Sequence, residues 1–239
     1  MNKRRSAIGR ILPSIAMVET LPRNGRVGEN IVGTAFAVDA KGYLLTAKHV
    51  IQGIAAEHLE IRFTRSGPPA EDYGMSPRRV QAIYPHPVLD IAVVALSGPV
   101  VGSRIQLHNK LSKANVGDSI ALVGYSLGTD LIFCDDISGV GSPKSYTPVA
   151  FRGMIAALVP DDGREVDLYI YDCTTFGGNS GAPVVAEDTS EIVAVHLRGF
   201  QNHVGYGVPI VRFESFVDEV IAIHELRRHR DRKKVRSRL

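Results

Sequence analysis

A small hydroxyl residue set among glycines is poor material for a core and good material for chemistry. In "TTFGGNSGAPVV", residues 174–185, Gly177, Gly178 and Gly181 surround Ser180 just before the chain returns to an apolar run. Glycine bends freely and leaves backbone N–H groups uncovered, so the stretch suits a tight turn that presents the serine. A serine hydroxyl is a weak nucleophile unless a base lies within hydrogen-bond reach and a third group orients that base. The base suggested by the sequence is His49 in "LLTAKHVIQG", where an apolar segment ends at Thr46–Ala47 and a short turn begins. The third group is Asp90 in "HPVLDIAVVAL", at the head of a wholly apolar run, where an unpaired buried carboxylate would be costly and therefore needs a partner. One arrangement satisfies all three: His49 donates Nδ1–H to Asp90 and turns Nε2 to the Ser180 hydroxyl.

These residues lie far apart in the chain, so rigid elements must bring them together. Short apolar or alternating segments recur between Gly, Pro, Asp and Asn punctuation, among them "SIAMVET", "IVGTAFAVDAKGYLLTAKHVI", "HLEIRF", "RRVQAIYP", "IAVVAL", "SIALVGY", "PVAFRGMIAAL", "VDLYIYDC", "APVVAE", "EIVAVHLRG" and "GYGVPIV". This is strand patterning, and without intervening helix-length periodicity it predicts an all-β sandwich or barrel rather than a parallel sheet. Only "RFESFVDEVIAIHELRRH", about 212–229, carries apolar residues at helical spacing and predicts a closing helix. The strand rhythm breaks near 97–118, as expected of a connection between two halves with a cleft between them. No internal repeat stands out.

Taken together, "GTAFAVDAKGYLLTAKHV", "DIAVVAL" and "GGNSGAPVV" resemble the chymotrypsin-like (trypsin-fold) serine proteases, in the compact bacterial style of the high-temperature-requirement proteases and glutamyl endopeptidases. The resemblance covers roughly residues 14–225 and implies two six-stranded antiparallel β-barrels with a C-terminal α-helix. The expected organisation is a basic arm at 1–13, barrels at 14–105 and 116–212 joined by 106–115, a helix at 213–228 and a basic tail at 229–239. The resemblance makes Ser180 the nucleophile, His49 the general base and then acid, and Asp90 the residue fixing the imidazole tautomer. The N–H groups of Gly178 and Ser180 become the oxyanion hole. Zymogen-activated relatives carry an aspartate where this chain has Asn179, so no proteolytic activation is expected.

The resemblance to glutamyl endopeptidases rests on Thr175, five residues before Ser180, and His196, sixteen after it, with Gly199 beyond. A hydroxyl and an imidazole can both donate to a carboxylate, which implies cleavage after Glu or Asp. The expected function is a serine endopeptidase acting through an acyl-enzyme. Two alternatives stay open: a broad-specificity trypsin-like protease gated by a protein partner, and a protease-fold scaffold acting through its basic tail.

Composition narrows the remaining choices. The chain has 239 residues, 44% hydrophobic and 22% charged, and no apolar run long enough to span a membrane. The N-terminus opens like a signal peptide, but Arg10 and Pro13 interrupt its apolar segment; a cytoplasmic location is expected, with secretion left open. Cys134 and Cys173 are too few for a disulfide framework and match no zinc spacing, although a single bridge stays open. Asp135–Asp136 and Asp161–Asp162 read as solvated turns, so neither metal nor cofactor is expected. His58, His86 and His203 have no evident carboxylate partner. From Arg227 onward eight Lys/Arg face one Asp, about +7, which leaves the remainder of a +3 chain near −4. That end reads as a solvated, disordered appendage, with nucleic acid or an acidic surface as the partner it would suit.

Overall fold

The computed structural model describes residues 7–21, 31–63, 76–100, 114–126, 148–161, 165–201 and 203–236. Twelve strands form two closed antiparallel barrels. The first contains β1 (Ile15–Thr20), β2 (Ile31–Ala37), β3 (Tyr43–Ala47), β4 (Leu59–Phe63), β5 (Ser76–Pro85) and β6 (Ile91–Leu96). The second contains β7 (Ser119–Gly124), β8 (Val149–Asp161), β9 (Glu165–Cys173), β10 (Pro183–Ala186), β11 (Ile192–Phe200) and β12 (Val204–Pro209). Around the first barrel the order is β1-β2-β3-β6-β5-β4, closed by β4 against β1. Read as β7-β8-β9-β12-β11-β10, the second barrel has the same order. The molecule is therefore built from one topology used twice, an internal repeat that the sequence does not display.

Burial explains why the strand patterns differ. β3 and β6 are buried at every position, hence the unbroken "IAVVAL". β7 alternates instead: Ile120 and Leu122 enter the core of the second barrel, while Ala121 and Val123 join the cluster that runs through the first barrel and the contact between the two. Successive strand residues face opposite sides, so one four-residue stretch, 120–123, serves two cores.

Three helices complete the described chain: α1 (Ala7–Ile11), the single turn α2 (Lys48–Ile51) and α3 (Glu214–Arg236). The helix α1 lies within the stretch read as a basic arm, with Ile11 buried. On α3, Phe213 just before it and Val217 and Val220 pack on the core, and Tyr43 donates to Glu225 Oε1 at 2.7 Å. The helix was expected to stop near 228, leaving a disordered tail; it continues to Arg236. No Gly or Pro interrupts 214–236, Lys and Arg are good helix formers, and cations are favoured at a helix C-terminus. Most of the connection at 106–115, together with Cys134, Asp135, Asp136 and Asp162, lies outside the described residues.

Candidate active site

Strand β3 ends at Ala47, whose extended backbone leads into the turn α2, and this delivers His49 at the rim of the first barrel. Asp90 is the last residue before β6. Its carboxylate grips the turn twice: Oδ1 accepts the His49 backbone N–H at 2.8 Å and Oδ2 lies 2.7 Å from His49 Nδ1. Its carbonyl also accepts the Lys48 N–H at 3.1 Å. The expected pair is thus in contact, with ring and peptide fixed by one side chain. Asp90 is not the buried carboxylate that the sequence suggested: the two side chains are 28% and 29% exposed. It stands at the mouth of β6, one residue short of the buried run, and folds back onto α2.

The second barrel supplies the serine turn between β9 and β10. Gly178 and Gly181 have φ of +89° and +84°, a region that side chains strongly disfavour. Gly181 is also confined: a Cβ there would lie 2.2 Å from the Thr34 carbonyl oxygen and 2.3 Å from Thr46 Oγ1. Among the described residues, neither the Gly178 nor the Ser180 N–H donates to a protein acceptor.

The hydroxyl itself differs from expectation. Ser180 Oγ donates to the Leu197 carbonyl at 2.8 Å, and no hydrogen bond to His49 Nε2 is present among the described residues. Leu197 sits where the β11–β12 register shifts between His196 and Arg198, and a backbone carbonyl offered at that bulge is a strong acceptor. Rotation about the Ser180 Cα–Cβ bond releases the hydroxyl from it.

Thr34 on β2 joins the two barrels at this turn and was not singled out from sequence. Its N–H donates to the Ser180 carbonyl and its hydroxyl to the Gly178 carbonyl, both at 2.8 Å, while its Oγ1 accepts the Tyr125 N–H at 2.8 Å. Thr46 Oγ1 donates to the Thr34 carbonyl at 2.7 Å. The turn is thereby anchored through the Gly178 and Ser180 carbonyls, and also through the Gly181 N–H, which donates to the His196 carbonyl at 2.8 Å. Asn179 is fully buried and accepts from Ser126 Oγ at 3.1 Å.

Thr175 and His196 are both buried, and Gly199 brings β11 against the threonine: a Cβ at Gly199 would fall 1.7 Å from Thr175 Oγ1. Burial, and secondarily the charge of His49, pull the His196 pKa down to about 3, so the ring is neutral near pH 7. Its Nδ1 lies 2.5 Å from the Tyr171 hydroxyl, and burial pushes the Tyr171 pKa well up, so the phenol keeps its proton. Tyr171 was also missed; two residues before Cys173, it looks like an ordinary core aromatic in the sequence. Cys173 is a free, buried thiol whose pKa is raised to about 11 by burial, which makes it unreactive. Among the described residues no cluster of three His, Cys, Asp or Glu could hold a metal, and no helix is long and apolar enough to cross a membrane.

Known proteins are similar to this chain to different degrees. The chain is 26% identical over 171 residues to a glutamyl endopeptidase of Staphylococcus epidermidis, covering 71% of this chain and 55% of that protein. It therefore spans about half the length of the curated relatives it matches. Among solved structures, a serine endoprotease from Yersinia pestis superposes with a TM-score of 0.62 at 19% identity, covering 90% of this chain and 65% of that one. The active form of the Rv3671c protease from M. tuberculosis gives 0.59 at 17%, covering 87% and 81%. At such identities the structural likeness speaks for the fold. The sequence speaks for more, because residues 33–195, from the Gly33 that abuts the Ser180 carbonyl to the neighbour of His196, match the model of the trypsin-like peptidase domain, and His49, Asp90 and Ser180 all lie inside that span. The chain belongs to the trypsin-like peptidase domain family.

Proposed function

We propose that the protein is a serine endopeptidase that cleaves after acidic residues. The observation that carries this reading is the two-point grip of Asp90 on His49, with a serine turn whose Gly178 and Ser180 amides donate to no acceptor among the described residues. In the proposed reaction the Ser180 hydroxyl leaves the Leu197 carbonyl and attacks the peptide carbonyl carbon as His49 Nε2 takes its proton. Asp90 keeps the other ring proton on Nδ1 and stabilises the imidazolium that forms. The oxyanion sits on the Gly178 and Ser180 N–H groups, His49 protonates the leaving amine, and water then cleaves the acyl-enzyme by the same proton path in reverse. Removing one oxyanion donor typically costs about 100- to 1000-fold in rate.

For specificity, a protonated Tyr171 phenol that donates to His196 Nδ1 leaves the remaining ring proton on Nε2. A neutral imidazole donor beside the Thr175 hydroxyl suits a substrate carboxylate, since both groups donate without adding a buried charge. The basic end of α3 suits an acidic partner, nucleic acid or an acidic surface, and its binding would weaken with salt. Cleavage of a peptide library by the purified protein tests the whole reading. Turnover concentrated after Glu and Asp, lost in Ser180→Ala, is the expected result; an aliphatic profile would sink the specificity and leave the triad standing.

A further inference from the structure

The loop that delivers Asp90 has an unusual support. Residues 86–90 join β5 to β6 as a tight connection, closed by the His86 N–H donating to the Ile91 carbonyl at 2.8 Å. Leu89 packs in part against the core, whereas Pro87 is exposed and Val88 is 83% exposed. His86 holds the exposed part of the loop. Its Nδ1 accepts the backbone N–H of Val88 at 3.1 Å and of Leu89 at 2.9 Å. This is the turn that Asn and Asp form with their own backbone, and Nδ1 stands at the same point along the side chain as Oδ1 of those residues. The loop is also tied to the base-bearing turn, because Lys48 Nζ donates to the His86 carbonyl at 3.1 Å. On its other side the imidazole meets the Phe216 ring of α3, with centroids 4.7 Å apart and planes at 70°.

Resting on the proposed peptidase reading, we infer that His86 is a positioning residue for the reaction: by accepting the Val88 and Leu89 amides in its neutral form, it sets the loop from which Asp90 grips His49. An Nδ1 that accepts two N–H groups cannot carry a proton. Burial and the Lys48 ammonium lower the His86 pKa from its ordinary 6.5, in keeping with a neutral ring. Lys48 on α2 is the charged group that faces it, α3 presents the uncharged Phe216 ring, and within the loop Asp90 is turned to His49.

Two variants separate the acceptor from the ring. His86→Phe keeps a ring against Phe216 and loses the acceptor; His86→Asn keeps an acceptor in place and loses the ring. Misplacing a catalytic group by about 1 Å can cost on the order of 100-fold, so His86→Phe should lower kcat about 10- to 100-fold with KM little changed, while His86→Asn stays within a few-fold of wild type. On acidification the wild type should lose turnover more steeply than His86→Asn, whose acceptor does not titrate. The downfield proton resonance of the His49–Asp90 hydrogen bond, read by NMR, should persist in His86→Asn and vanish or move in His86→Phe. Equal turnover in the two variants with parallel acid limbs, or an undisturbed resonance in His86→Phe, would overturn the inference. If His86→Phe does not melt as a folded protein, His86→Ala takes its place with the same expectations. A wild-type protein without peptidase activity would sink the peptidase reading alone, because the resonance still decides whether His86 places Asp90.

Discussion

The two barrels share a strand order and, in the proposed reaction, divide the work. In both, the proposed functional group follows the third strand: His49 follows β3 and Ser180 follows β9. The exits differ in kind. The first is a helical turn in which the His49 N–H and imidazole are both bound by the Asp90 carboxylate; the second is a glycine turn held by the Gly178 and Ser180 carbonyls and the Gly181 N–H, with the Gly178 and Ser180 amides donating to no acceptor among the described residues. Moving a proton requires one ring held at one angle, and a side chain that bonds both ring and backbone supplies that. Receiving an oxyanion requires several N–H groups pointing one way, which only a backbone with positive φ provides here. Both interiors bury aromatics, Phe36 and Tyr43 in the first barrel and Tyr169 and Tyr171 in the second, and the Tyr171 hydroxyl reaches His196 from inside its barrel.

The harshest test of that division removes one member from each barrel. Ser180→Ala and His49→Ala should each lower kcat by about 10⁶-fold, the scale seen when a comparable unit loses its nucleophile or base. The double variant should lose little more, because the two exits act as one device. Losses that multiply would show two independent contributions. Single-turnover kinetics with a short peptide ester would measure them.

A glycine from each barrel makes the next comparison. Gly181 and Gly53 both have positive φ, but Gly181 is enclosed while a Cβ at Gly53 meets nothing within 4 Å. Gly53→Ala should cost about 1 kcal/mol, the backbone strain alone. Gly181→Ala should cost more than about 3 kcal/mol and abolish turnover, since the added carbon displaces the backbone that carries Ser180. Urea denaturation of the two variants gives the ratio, and similar losses would mean that the nucleophile turn is less rigid than its contacts indicate.

Thr34→Val tests the joint between the barrels. The swap keeps the shape and removes the hydroxyl that donates to the Gly178 carbonyl and accepts from the Tyr125 N–H, and losing that buried hydrogen-bonding group costs about 1–3 kcal/mol. The Thr34 N–H bond to Ser180 survives, so the fold should persist with reduced turnover. Unchanged turnover would show that the oxyanion amides do not depend on this clamp.

What could be read from sequence divides along similar lines. The strands and the serine turn are local patterns, because alternation, apolar runs and clustered glycines each fit within about ten residues. His49 and Asp90 were paired on the expectation that a carboxylate at the head of an apolar run is buried; the two do meet, at 2.7 Å, although Asp90 is 29% exposed and its burial was wrongly expected. Thr34 was not singled out, because its hydroxyl acts on a residue 144 positions away and a threonine in a strand needs no special explanation. Nor was Tyr171, since an aromatic on a strand is ordinary until its partner is known. The repeated topology is invisible for a related reason: closure fixes strand order through hydrogen bonds between main chains, which place little constraint on side-chain identity. The extent of α3 was misjudged because clustered charge signals solvent exposure and does not by itself end a helix.

The gentlest comparison uses pH. His196, inside the second barrel, has its pKa drawn down to about 3 by burial and by His49, against an ordinary value of 6.5. The folded protein therefore binds its proton less readily than the unfolded chain does. Stability from this source is complete above pH 6.5 and declines as pH falls from there toward 3, where the folded protein too becomes protonated. On α3, His224 is shifted the same way, chiefly by burial, where it packs between Tyr43 and Tyr84 of the first barrel. The deeper histidine should dominate. His196→Gln, which stays neutral, should flatten the fall in melting temperature between pH 6 and 4 more than His224→Gln does, with both variants close to wild type at pH 8. Equal flattening would place the acid-sensitive element at the α3 contact as much as in the second barrel.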